Sequence, residues 1–119
     1  MYTIKTDMNK NRVLMIADGE HNSDMEEFIE NFKKAALKIR EQSSHFDILT
    51  DLSHSMTLQQ DRTQATMDLL AWCKENGLRR SANVVGSTIQ KMQVRRLSSE
   101  VENIASFTTL EEAERWLSE

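Results

Sequence analysis

The stretch Arg12-Val13-Leu14-Met15-Ile16-Ala17-Asp18, closed by Gly19, decides how the rest of the chain is read. An unbroken apolar run bounded by a glycine is the mark of a strand covered on both faces, as in a parallel sheet flanked by helices. Phe46-Asp47-Ile48-Leu49-Thr50-Asp51-Leu52 reads as a second interior strand. Residues 81–85 form a short strand ended by Gly86, and residues 103–107 a last one. Upstream of the deciding run, residues 2–8 alternate loosely, which suits an edge strand. Met8-Asn9-Lys10-Asn11-Arg12 joins the two as a hairpin turn, since asparagine tolerates left-handed backbone angles.

Helices fill the gaps. Ser23-Asp24-Met25-Glu26 is a capping box, followed by Met25, Phe28, Ile29, Phe32, Ala36 and Ile39 on one stripe to about residue 41. Glu30 and Lys34 face solvent one turn apart, a helpful pair; Lys34 and Lys38 repel. After the loop Ser53-His54-Ser55-Met56, Thr57-Leu58-Gln59-Gln60 caps a helix with Leu58, Ala65, Leu69, Trp72 and Cys73 on one side. Asn76-Gly77 stops it. Ser87-Thr88-Ile89-Gln90 opens a third helix with Ile89, Met92, Arg96 and Leu97 helically spaced. Thr109-Leu110-Glu111-Glu112 opens the last, with Leu110, Ala113, Trp116 and Leu117 inward.

The predicted order is β-β-α-β-α-β-α-β-α. It implies an α/β fold with a mostly parallel five-stranded sheet, right-handed connections and an antiparallel first strand. A length of 119 residues suits one domain, residues 1–119. Hydrophobic and charged fractions of 39% and 29% are those of a globular chain, and a net charge of −4 gives no pull toward nucleic acid. The single cysteine excludes an internal disulfide, the amino terminus lacks a signal-peptide run, and no segment is apolar enough to span a bilayer. A cytoplasmic setting is the expectation. No linker, repeat or low-complexity tract appears.

That element order in a short chain resembles the STAS, or SpoIIAA-like, group of anti-sigma-factor antagonists and their small stand-alone bacterial members. The residues that carry the likeness are Phe46-Asp47-Ile48-Leu49-Thr50-Asp51-Leu52-Ser53-His54 and the closing Phe107-Thr108-Thr109-Leu110-Glu111-Glu112-Ala113-Glu114-Arg115-Trp116-Leu117. The resemblance implies a non-enzymatic binding or regulatory module that docks a protein partner through the third-strand end and second helix. Antagonists of the group carry a phosphorylatable serine in an Asp-Ser-Ser-Gly-like motif opening that helix. This chain has Thr57-Leu58-Gln59-Gln60-Asp61-Arg62-Thr63 there, so the phosphorylation switch does not carry over. Gln60 or Asp61 stands about where the switch serine would, which implies a constitutive surface. The broader fold group includes lipid-carrying CRAL-TRIO domains, so the alternative is a small-molecule or lipid carrier with an apolar pocket near Trp72 and Met56.

Open α/β sheets bind ligands outside the carboxyl ends of their parallel strands. Those ends deliver Asp18-Gly19-Glu20-His21, Asp51-Leu52-Ser53-His54-Ser55 and Gly86-Ser87-Thr88 to one rim, with His45 at the other. The candidate partner- or ligand-binding residues are Asp51, Ser53, His54, Ser55, Thr57, Gln60, Asp61, Ser87 and Thr88, with His21 beside them. Helix amino termini at Thr57 and Ser87 would add anion-attracting amides. The competing reading is plain: capping accounts for the serines and threonines, and exposed loops for the histidines. A hydrolase triad of Asp51, Ser53 and His54 lacks a nucleophile elbow, and a metal site at His21 and His54 lacks tight ligand spacing. No cofactor is expected.

Lys74, Arg79, Arg80, Lys91, Arg95 and Arg96 concentrate positive charge, and the basic patch is placed on Lys91, Arg95 and Arg96. It suits an acidic partner or phosphate, or is simply a solvated helix face. Cys73 reads as a small core hydrophobe and the helical methionines as core filler. Self-association through the edge strand or the second helix is a further expectation.

Overall fold

The structure, a computed structural model, describes residues 2–19, 25–55, 60–98 and 103–119, with backbone alone at 2, 17–19, 25, 54–55, 60–63 and 97–98. In chain order the elements are β1 (Tyr2–Asp7), β2 (Arg12–Gly19), α1 (Met25–Arg40), β3 (Phe46–Ser55), α2 (Gln60–Glu75), β4 (Leu78–Val84), α3 (Thr88–Ser98), β5 (Ile104–Phe107) and α4 (Leu110–Leu117). The strands lie in sequence order across one sheet, β1 antiparallel to β2 and each later neighbour parallel. The β1–β2 turn uses Asn11 at φ 53°. Asp7 Oδ1 accepts from the amides of Asn9 and Lys10. From the end of α1, Gln42 donates to the Met8 carbonyl at 2.6 Å and to Asn11 Oδ1 at 2.8 Å.

Alternation along the strands divides the core between the two faces of the sheet. On one face Val13, Phe46 and Ile48 meet Phe32, Ala36 and Ile39 of α1 and Leu69 and Cys73 of α2. On the other, Leu49, Ala82 and Val84 meet Ala113 and Leu117 of α4, with Leu14, Phe107 and Trp116 at the margin. Trp116 lies 5.6 Å from Phe107, centroid to centroid. The last helix packs chiefly on β3, β4 and β5, with Leu14 of β2 at its margin.

That placement corrects the deciding run itself. Val13 is fully buried as a strand covered on both faces requires, yet Ile16 is 44% exposed, because among the described residues the main contacts of α4 fall on β3, β4 and β5, with only Leu14 of β2 at the margin of its cluster. Other bounds shift too. The predicted loop at residues 53–55 is strand: after a bulge between Ile16 and Asp18, His54 still pairs with Asp18 and Ser55 with Gly19. Strand β4 begins at Leu78, which pairs with Phe46, three residues ahead of the predicted Ser81. The capping serine at 23 and Thr57, Leu58 and Gln59 of the second box lie outside the described residues.

Helix α3 is turned from its predicted phase. Ile89 and Met92 are 60% and 51% exposed, while Gln90 and Val94 are buried. Leu110 is likewise exposed on α4, and Met92 is no core filler. Gly77 ends α2 at φ 102°, where a Cβ would sit 2.9 Å from the Ser44 carbonyl, so both conformation and space ask for glycine.

Candidate functional site

The carboxyl end of β3 is built by short-range polar chemistry. Asp51 and Ser53 project from the same side of the strand, and Asp51 Oδ1 accepts from the Ser53 amide at 3.0 Å and from its hydroxyl at 2.6 Å. Neighbouring β4 ends at Val84, and the turn into α3 runs against β3: a Cβ on Gly86 would lie 2.8 Å from the Ser53 carbonyl oxygen and 3.2 Å from its Cα. Only glycine lets these two backbones approach so closely.

Gln90 closes the arrangement. Its amide nitrogen donates to the Leu52 carbonyl at 2.8 Å, and its Oε1 accepts from the Gly86 amide at 2.7 Å. The side chain therefore clamps the end of β3 to the turn after β4. The Gln90 amide donates to Ser87 Oγ at 3.2 Å, the cap expected for α3. In the sequence Gln90 reads as capping chemistry, and its clamp across β3 and the turn after β4 shows only in the fold. The signal is the spacing of Gln90 and Val94, a helical phase that competes with Ile89, Met92, Arg96 and Leu97.

Of the residues predicted for the rim, the structure brings Asp51, Ser53, Gly86 and Ser87 together and leaves Ser87 and Thr88 exposed at the start of α3. His54 and Ser55 enter through their backbone, at the last rungs of the β2–β3 ladder. Gln60 and Asp61 open α2. His21 and Thr57 lie outside the described residues. The Ser53 hydroxyl donates to Asp51, so its proton is directed at a carboxylate on its own strand. Among the described residues no three His, Cys, Asp or Glu side chains come together as metal ligands would.

Beside the rim, a cleft of about 190 Å³ opens between the ends of β4 and β5, lined by Val85, Lys91, Ser106, Phe107, Thr108 and Glu112. It is smaller than the roughly 300–1,000 Å³ of drug-sized ligand pockets. Its α4 wall is a cap: Glu112 Oε1 accepts from the hydroxyls of Thr108 and Thr109, and the Glu112 amide donates to Thr109 Oγ1. Trp72, proposed to line an apolar pocket, packs half-buried against the α1–α2 core, with Lys33 Nζ 5.2 Å from its ring centroid. Met56 lies outside the described residues.

The basic cluster divides in two. Arg79 pairs with buried Asp47, and Arg80 lies 5.0 Å from the Trp116 ring while donating to the Trp116 carbonyl at 2.6 Å. Both tie α4 to the sheet. Lys91, Arg95 and Arg96 are exposed on α3, Lys91 at the mouth of the cleft. Cys73 is fully buried, and removal from water pushes its thiol up to about 12, outweighing the opposing pull of Lys33. It is a packing residue, not a nucleophile.

Neither a protein-family model nor a curated protein matches the chain. Among solved structures it is similar to an uncharacterized protein of the DUF3478 family from Shewanella loihica PV-4, described as having a SpoIIAA-like fold. The TM-score is 0.71 at 17% identity, over 98% of this chain and 92% of that one. The order of strands and helices expected from the sequence and the architecture observed thus meet in one conclusion: this protein has a SpoIIAA-like α/β fold.

Proposed function

We propose that the protein is a non-enzymatic binding or regulatory module of the STAS-like type. It docks a protein partner in the cytoplasm through the end of β3 and the opening of α2. The observation that carries this reading is the clamp at the rim. Asp51 holds Ser53, and Gln90 holds Leu52 to Gly86, so the end of β3 is tied to the turn after β4 before any partner arrives. A surface already ordered loses little conformational freedom on association. Asp61 in the first turn of α2 supplies a permanent negative charge where antagonists of this fold use a switchable one. The docking surface is therefore constitutive. Asp51, Ser53, His54, Ser55, Thr57, Gln60, Asp61, Ser87 and Thr88 are its residues, and Lys91, Arg95 and Arg96 form a separate basic edge for an acidic segment of the partner.

A photo-crosslinking amino acid at position 61, compared with one at Lys38 on exposed α1, tests the reading in the host cell. A discrete adduct at 61 that is missing at 38 supports it. Equal labelling at both positions, or no adduct at either, contradicts it.

A further inference from the structure

We infer that the part of the α4-bearing face that lies over β1 and β2 is where a second copy of this chain docks. Alternation places Lys5, Leu14, Ile16, Leu49 and Asp51 on the face that carries α4: Lys5 pairs with Leu14, Leu14 with Leu49, and Ile16 with Asp51. Leu49 is buried beneath α4 and Leu14 lies at the margin of that cluster, while Ile16 is 44% exposed beyond it. A strand stretch with the composition of a doubly covered one thus has one side covered only in part.

Charge selects the occupant. Lys5 stands on β1 and Asp51 on β3, on either side of the Leu14–Ile16 stripe of β2, roughly 12 Å apart on the diagonal of two strand spacings and two residues of rise. Among the described residues neither makes an ion pair, and both hydrogen bonds to the Asp51 side chain fall on Oδ1. A two-fold axis that bisects the line between Lys5 and Asp51 exchanges their positions. The same operation sets each lysine over the other copy's aspartate and brings Leu14 and Ile16 of both copies together at the centre. An apolar middle with self-complementary charges at its ends is the pattern of an isologous contact. Asp51 is shared with the proposed partner surface, whereas Lys5, Leu14 and Ile16 lie outside it, so Ile16→Lys and Lys5→Asp test the dimer without altering that surface.

Sedimentation velocity over about a hundred-fold concentration range tests the inference. The wild type is expected to show a monomer–dimer equilibrium. Ile16→Lys and Lys5→Asp should each weaken it at least tenfold, and Lys5→Asp combined with Asp51→Lys should recover part of the loss. Should a charge variant fold poorly by circular dichroism, Ile16→Cys treated with a short bis-maleimide replaces it, since buried Cys73 does not compete. Covalent dimer from Ile16→Cys, and none from Leu37→Cys on α1, agrees with the inference. A wild type that stays monomeric throughout, a dimer indifferent to Ile16→Lys, or equal crosslinking at 16 and 37 overturns it.

Discussion

Arg79 grips Asp47 with both arms of its guanidinium, Nε to Oδ1 at 2.9 Å and Nη2 to Oδ2 at 2.6 Å. The same group donates to the Leu117 and Glu119 carbonyls, so one side chain joins the starts of β3 and β4 to the end of α4. Asp47 is nearly sealed from water, and its hydrogen bond holds the Arg79 pKa above the ordinary value. Because that pKa is raised, the guanidinium stays charged through the neutral range, and on the alkaline side the pair loses strength only in strong alkali. Arg79→Ala leaves a buried carboxylate without its partner and should cost about 3 kcal/mol in urea denaturation. Arg79→Lys should recover less than half of that, since a single ammonium cannot reproduce the fork.

Cys73 gives a pH signature. Its thiol titrates at 9.0 in the ordinary state and at about 12 in the fold. A group whose folded pKa is raised contributes fully below the unfolded value and loses that contribution as pH climbs through the folded one. Wild-type stability should therefore fall between pH 9 and 12 by about 1.4 kcal/mol per unit more than that of Cys73→Ala. Denaturation of both proteins across this range checks it. An aromatic disulfide reagent at pH 8 should label Cys73 in urea but not in the native state.

The rim clamp makes a paired prediction. Gln90→Leu leaves the Leu52 carbonyl and Gly86 amide without this partner and should cost about 2 kcal/mol. Gly86→Ala pushes a methyl into the Ser53 backbone, so the end of β3 must move. Both should speed amide exchange at residues 52–54, as read by hydrogen–deuterium exchange mass spectrometry, and leave α1 unaffected.

These particular residues show what the sequence made legible. Apolar run, capping and turn chemistry agree at Val13, Thr109 and Asn11, and there the expected elements appear within a residue or two. The errors arose where a side chain works across the fold. Arg79 and Arg80 look like loop residues because their charges break the apolar run; only the distant carboxylate of Asp47 and the carbonyls of α4 turn that stretch into strand. Ile89 and Met92 carry a helical spacing as regular as that of Gln90 and Val94, and periodicity has no means of choosing between them. Ile16 was expected to be covered because the run itself does not reveal which strands a terminal helix eight residues long will reach.

The partner identified by crosslinking at position 61, titrated calorimetrically into wild type and into Asp61→Lys/Arg62→Glu, puts the docking surface to its most direct trial. The charge-reversed protein should keep its fold by circular dichroism and bind at least tenfold more weakly. Unchanged affinity, together with a loss on Lys38→Glu at α1, would place the contact elsewhere and remove the β3–α2 corner from the account.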